Sequence, residues 1–269
     1  MKKLSARRRH PLAALVVLFF ALAATGGLYA ALAPAPDAHA DDSAQSLAIE
    51  QGKKLYSVGC ATCHGMSGQG STDGPSLVGV GSAAVDFQVG TGRMPAQAPG
   101  EQVEQHPVIY SQAEIDQIAG YIASLGPGPS IPTKDQYSPA GADEAKGGEL
   151  FRTNCSQCHN FVGKGGALTE GKFAPALKGV SAKHIYEAME TGPQNMPSFP
   201  DTTMPQDTKA DIIAYLKAVD SADSPNPGGF TMGNIGPVSE GLFAWVFGLG
   251  AMIALAIWVA ARTTKAKKS

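Results

Sequence analysis

Read as a pattern of apolar and polar positions, the chain has two long apolar runs flanking a mixed, Gly- and Pro-rich middle. The second run, Leu242 to Ala261, is uncharged over twenty residues. As a helix rising about 1.5 Å per residue it would measure roughly 30 Å, enough to cross a bilayer. Phe243 and Trp245 sit near one end and Trp258 near the other, where an aromatic belt would place them. Arg262, Lys265, Lys267 and Lys268 follow at once, so this end is expected in the cytoplasm. The first run, Leu12 to Ala33, follows Lys2, Lys3, Arg7, Arg8 and Arg9. It reads either as a retained transmembrane helix or as a signal peptide cut after Ala38-His39-Ala40. Both outcomes place residues 41–240 on the outer, periplasmic face of a cell membrane. Both termini are cytoplasmic if both helices are retained.

Helical spacing returns twice in the middle. Ile115, Ile118, Ala119, Ile122 and Leu125 predict an amphipathic helix over about Gln112 to Leu125. Ile212, Ile213, Tyr215, Leu216 and Val219 predict another over about Gln206 to Val219. Ser111 followed by Glu114 reads as a capping box on the first.

Each of these helices closes one copy of an internal repeat. The copies are anchored by Cys60-Ala61-Thr62-Cys63-His64 and Cys155-Ser156-Gln157-Cys158-His159. Cys-x-x-Cys-His is the attachment signature of c-type haem. Positions i, i+3 and i+4 share a helical face, so two thiols can bond two porphyrin vinyl groups while the imidazole meets the iron. All four cysteines are used this way, and the expected cofactors are two covalently bound haem c groups. Gly52-Lys53-Lys54-Leu55-Tyr56 and Gly147-Gly148-Glu149-Leu150-Phe151 stand at equal distances before the motifs. Gly74-Pro75-Ser76-Leu77 and Ala174-Pro175-Ala176-Leu177 follow them, and each copy then has a Met-Pro pair. The expected domains are 1–40 (basic N-terminus and hydrophobic segment), 41–125 and 143–220 (the two repeats), and 242–261 (transmembrane helix). Residues 126–142 and 221–241 are expected as linkers, the first Pro-rich and semi-rigid, and 262–269 as a basic tail.

Composition narrows the functions. The net charge is −2, but Asp41 to Leu125 holds nine acids against Lys53, Lys54 and Arg93. No basic, aromatic-rich patch supports nucleic-acid binding. If opposite potentials steer docking, the acidic first copy should face a positive surface, and reversing Glu101 and Glu104 should slow electron delivery.

Residues 46–125 and 143–220 each resemble class I cytochrome c. That resemblance implies an all-α fold: two tandem class I cytochrome c domains with an N-terminal hydrophobic segment and a C-terminal transmembrane helix. It implies that Gly52, Tyr56 and Tyr121, and Gly147, Phe151 and Tyr215, pack the first helix of each domain across the last. It makes His64 and His159 proximal ligands, and Pro75 and Pro175 the residues whose carbonyls accept the imidazole N–H. A methionine on the loop before the last helix would complete the iron. Met94 fits in the first copy, whereas Met66 is too near His64 to reach the opposite face. Met196 of Gly192-Pro-Gln-Asn-Met196-Pro-Ser-Phe199 fits in the second, with Met204 the alternative. Met189 reads as packing, and His106 and His184 as surface or hydrogen-bonded residues that remain alternative ligands.

The whole chain resembles the cytochrome cc subunit of actinobacterial cytochrome bcc complexes, which are menaquinol–cytochrome c reductases. The resemblance implies electron transfer from a Rieske iron–sulfur subunit to a terminal cytochrome c oxidase, beside a cytochrome b subunit, with no substrate site in this chain. Other readings are a dihaem subunit of a different membrane oxidoreductase, an anchored carrier without permanent partners, and a dihaem peroxidase. Met-Pro pairs in both copies argue against the last.

Overall fold

The computed structural model describes residues 11–32, 37–100, 102–220 and 237–266. The basic residues from Lys2 to Arg9, Glu101, the second linker over 221–236, and Lys267 and Lys268 lie outside the described residues. The chain divides into two compact units, residues 1–47 and 48–269.

In the first unit, α1 (Pro11–Leu32) is the predicted apolar run, and Leu12–Leu32 is long and apolar enough to cross a membrane. Helix α2 (Asp37–Gly59) starts in this unit and continues into the second.

In the second unit the order is α3 (Ala61–His64), α4 (Gly81–Gly90), α5 (Gln112–Ser124), α6 (Lys134–Tyr137), α7 (Glu144–Asn154) and α8 (Ser156–His159). Strands β1 (Gly166–Ala167) and β2 (Phe173–Ala174) follow, then α9 (Ala182–Thr191), α10 (Gln206–Asp220), α11 (Pro237–Ala244) and α12 (Gly250–Ala266). The two strands pair antiparallel, Gly166 opposite Ala174, which a purely helical expectation omits. A π-type turn, Trp245–Leu249, joins α11 to α12, and Gly241–Arg262 is also long and apolar enough to span a membrane. Its large side chains, such as Leu242, Trp245, Ile253 and Trp258, are exposed, as a lipid-facing helix requires.

Each repeat builds one small core. Tyr56, Ile115, Ile118, Tyr121 and Ile122 centre the first, with Val85 and Val89 from α4. Phe151, Ile185, Tyr186, Met189, Ile212, Ile213 and Leu216 centre the second. The core rests on one close helix crossing per repeat. A Cβ on Gly52 would lie 1.9 Å from Gln117 O, and one on Gly147 would lie 1.8 Å from Asp211 O. Only glycine lets the backbones of α2 and α5, or of α7 and α10, come this near. The Tyr56–Tyr121 and Phe151–Tyr215 rings then pack at 5.2 and 5.6 Å between centroids. The Ser111–Glu114 capping box is present at the start of α5.

The first linker is packed instead of running free. Pro129 O accepts from Ala83 N at 3.1 Å, and Ile131 N donates to Ser82 Oγ at 3.1 Å. Ile131 packs on the first core and Tyr137 on the second. The segment is a strap across both repeats.

Candidate functional site

The two Cys-x-x-Cys-His motifs have nearly superimposable local geometry. Helix α2 ends at Gly59 and the chain breaks at Cys60 (φ −126°, ψ −33°) before α3. Helix α7 ends at Asn154 and breaks at Cys155 (φ −120°, ψ −29°) before α8. Cys60 O accepts from Cys63 N at 3.2 Å and His64 N at 3.0 Å. Cys155 O accepts from Cys158 N at 3.2 Å and His159 N at 2.9 Å. Each motif therefore occupies its own single turn, set off from the preceding helix, and still presents i, i+3 and i+4 together.

The loop after each motif folds back over it. Gly70 N donates to His64 O at 2.8 Å, and Gly165 N to His159 O at 2.9 Å. This brings Pro75 O to 2.8 Å from His64 Nδ1 and Pro175 O to 3.1 Å from His159 Nδ1. With the proton on Nδ1, each ring keeps its Nε2 lone pair for a metal. Both rings are buried. Burial holds the His159 imidazole below its ordinary value, against the Pro175 carbonyl, so it is neutral, as a metal ligand must be. Burial and the neighbouring thiol push the Cys60 and Cys155 thiols up to about 11. Two thiols one turn apart beside an oriented imidazole fit a covalently attached haem c.

The methionines separate by burial. Met94 and Met196 are half-buried at the margins of the two cores. Met204 is a buried core member, as is Met189, and Met66 is 70% exposed. Met94 N and Arg93 N both donate to Gln88 O at 2.9 Å, and Arg93 stacks on Phe87 with its guanidinium 4.9 Å from the ring centroid. The Met196 loop is tied by Phe199 N to Met189 O at 2.6 Å. His106 serves its loop through the backbone, its N–H on Gly92 O at 2.8 Å. His184 lies at the contact between the repeats, its ring edge-on to Phe87 with centroids 6.1 Å apart.

That contact is what the sequence reading missed. Helix α4 of the first repeat packs on α9 of the second. Beside it, Gln102 exchanges two hydrogen bonds with the Phe173 backbone, at 2.6 and 2.8 Å, and Gln194 pairs with the Val103 backbone at 3.2 and 3.4 Å. The loops that carry Met94 and Met196 thus meet. Also missed was Lys209, fully buried and bonded to Glu190 and, at 2.7 Å, to Asp201. Asp86, the single charged residue of α4, was the available signal.

Fold and motif geometry together define cytochrome c domains. Residues 49–126 match the family described as Cytochrome c, and residues 142–216 match Cytochrome C oxidase, cbb3-type, subunit III. The chain is 44% identical over 263 residues to a "Cytochrome bc1 complex cytochrome c subunit" of Mycobacterium tuberculosis, covering 96% of this chain and 93% of that one. It is 43% identical over 282 aligned positions to the protein of the same name from Corynebacterium diphtheriae, covering 97% and 99%. A "Cbb3-type cytochrome c oxidase subunit FixP" of Azorhizobium caulinodans is 30% identical over 143 residues, 49% of this chain and 45% of that one. The chain belongs to the family of cytochrome bc1 complex cytochrome c subunits. It is a membrane-associated electron-transport protein whose cytochrome c domains carry covalently bound haem c.

Proposed function

We propose that this chain is the dihaem electron-transfer subunit of a quinol–cytochrome c reductase, passing electrons from a Rieske iron–sulfur centre to a terminal cytochrome c oxidase. Each repeat holds one haem c: Cys60 and Cys63 bond the first, and Cys155 and Cys158 the second. His64 and Met94, and His159 and Met196, would hold the two irons, with the Pro75 and Pro175 carbonyls orienting the imidazoles. When bound, haem c supplies reversible one-electron storage at iron. The chain's own residues orient the ligands and bring the two sites together. The burial of Met204 in the second core favours Met196 as the ligand. The domain boundaries follow the notional repeats, 41–125 and 143–220, with the strap over 126–142 between them. The repeats sit on the outer face, and the basic termini are cytoplasmic if both helices are retained. The partners are a cytochrome b subunit, the Rieske subunit and oxidase subunits.

One observation carries the reading: the Met94 loop is bonded to the Met196 loop through Val103–Gln194 and to β2 of the second repeat through Gln102–Phe173. A relay needs its two centres held close, and independent carriers on a string do not. The match of residues 142–216 to an oxidase subunit favours a second reading, in which the chain serves a haem–copper oxidase directly. Purification in mild detergent through a C-terminal tag, with a menaquinol oxidation assay, decides. Cytochrome b, a Rieske protein and quinol-driven haem reduction are expected. Oxidase subunits without cytochrome b would support the second reading, and this chain alone with two reducible haems would withdraw both.

A further inference from the structure

The centre of the contact between the repeats is a cluster of ionisable side chains that electron transfer does not use. Asp86 on α4 is 1% exposed and Glu187 on α9 is 0% exposed. Their carboxylate oxygens and a ring nitrogen of His184 lie within 4.8 Å of one another. Lys183 Nζ is 2.6 Å from Asp86 Oδ2 and 3.8 Å from Glu187 Oε1. Gln112 Nε2, from α5, donates to Asp86 Oδ1 at 3.0 Å. His184 Nε2 stands 3.8 Å from Asp86 and 4.0 Å from Glu187, beyond hydrogen-bonding range. Among the described residues, no group donates a hydrogen bond to either Glu187 oxygen.

One ammonium cannot balance two buried carboxylates. An unpaired charge buried in such a place opposes the contact. Two neighbouring carboxyl groups avoid this by keeping one proton between them. We propose that Asp86 and Glu187 form a proton-binding site between the two domains, in which a proton on Glu187 is donated to ionised Asp86 and closes the interface. The proton gives Glu187 a hydrogen bond to make and removes the surplus charge, leaving one carboxylate opposite Lys183. Burial, reinforced by Asp86 and opposed by Lys183, pushes Glu187 up to about 9. Burial opposes ionisation of Asp86, but its bonds to Lys183, Glu187 and Gln112 outweigh it and hold that carboxyl below its ordinary value.

The other charged groups around the site are accounted for. Arg93, just past α4, is held on Phe87, and Asp116 of α5 bonds Gln112 at 2.9 Å. On the other faces of α9, Lys209 of α10 is taken by Glu190 and Asp201, and Lys217 by Val180 O. Asp207, Asp211 and Asp220 of α10 are taken by Thr208 N, Lys146 and Gly179 N, and Glu114 of α5 is taken by Ser111. Lys134 and Asp135 of α6 are further charges on an element packed against α9. Lys183 disfavours the obvious rival, a divalent cation, since its ammonium already sets a positive charge 2.6 Å from Asp86 and 3.8 Å from Glu187.

The sign follows. With the domains apart, Glu187 returns to water and titrates as an ordinary carboxyl. The closed form binds the proton more tightly, so its advantage is complete below the ordinary carboxyl range. It weakens as pH rises and is gone by about 9. Across that window the closed-to-open ratio falls by up to about tenfold per pH unit. His184 acts oppositely: burial, only partly offset by Asp86, holds it below its ordinary value, so acid also weakens closure. The clean range runs from neutral pH to about 9. A consequence for electron passage between the haems rests on the function proposed above; the proton site does not.

The test uses the haem-loaded full chain in detergent, where thioether bonds occupy all four native cysteines. Lys53→Cys and Glu149→Cys place one spin label on an exposed site of each domain. The inter-label distance should hold steady near neutral pH and broaden toward pH 9, while Glu187→Gln, which keeps a donor and cannot titrate, should stay narrow throughout. Infrared spectra should show a deuterium-sensitive carboxylic-acid band at neutral pH, absent from Glu187→Gln. If the variant fails to fold, the wild-type band and its loss toward pH 9 still decide. Identical pH responses of the two proteins, no such band, or a band that emerges only on adding EDTA would overturn the proposal, the last by placing a metal there.

Discussion

The two cytochrome c repeats use the same crossing and secure it by different chemistry. In the first, Gln51 and Gln117 flank the crossing at Gly52 with a neutral amide bond of 2.8 Å. In the second, the equivalent positions are Lys146 and Asp211, an ion pair at 2.9 Å. Tyr56 on the first helix of repeat one donates to Gly65 O at 2.6 Å; repeat two has Phe151 there, and Tyr215 on its last helix donates to Phe161 O at 2.5 Å. Arg93 on Phe87 steadies the Met94 loop, whereas a buried lysine with two carboxylates steadies the Met196 loop. The crossing glycine is dictated by backbone contact and cannot vary. The polar devices around it differ between the repeats in both partners and chemistry.

The largest break should come at the crossings. Gly52→Ala or Gly147→Ala drives a Cβ into a backbone carbonyl that no side-chain movement relieves. Each should cost about 3 kcal/mol or more in its own domain, the upper end of overpacking effects. The haem-to-protein ratio from the alkaline pyridine spectrum should fall by half for either variant. A full ratio with unchanged melting would show that the helices part without penalty.

Next come the methionine loops. Lys209→Met strands Glu190 and Asp201 beside a buried apolar chain, at a cost of about 3 kcal/mol. Arg93→Met loses a cation–π contact worth about 1 kcal/mol. Absorption from methionine-ligated haem should drop by half in the first variant and hardly change in the second. Equal losses would mean both loops depend on their cation alike. Smaller still, Tyr56→Phe and Tyr215→Phe should each cost about 1 kcal/mol through one lost hydrogen bond, read from denaturant midpoints. The effect in each case should stay in the repeat that owns the tyrosine.

The repeats, the haem motifs and the apolar helices were legible because each is written locally. Cys60 to His64 fall within one turn, and Ile115 to Ile122 keep a helical period. Gly52 and Gly147 were legible because they recur at one offset from the motifs. The break before each motif went unread, although Gly59 and Asn154, residue types that favour helix ends, stand directly before it. The docking of α4 on α9 was not legible. It depends on Asp86 and Lys183, almost a hundred positions apart, and on residues 126–142, whose prolines read as a spacer but lie as a strap. The two-residue ladder at Gly166 and Ala174 is too short to leave an alternation.

The finest test of the comparison is acid. Asp211 is nearly buried, and burial opposes its ionisation. The Asp143 N–H at 2.8 Å and the Lys146 ammonium outweigh burial and hold its carboxyl below the ordinary value. A carboxyl lowered in the folded state contributes stability above its unfolded value and loses it as pH falls through the folded one. The second repeat should therefore weaken in acid through Asp211, while the Gln51–Gln117 pair gives the first repeat no such term. Asp211→Asn should lower the stability of the second repeat near neutrality by about 1 kcal/mol, one hydrogen bond's worth, and flatten its acid dependence. The double change Gln51→Lys with Gln117→Asp should confer that dependence on the first. Urea midpoints followed separately at the two haems across the acid range measure both. Parallel curves for wild type and Asp211→Asn would mean that the ion pair only replaces the amide pair in shape, and that the two crossings differ in sequence without differing in energy.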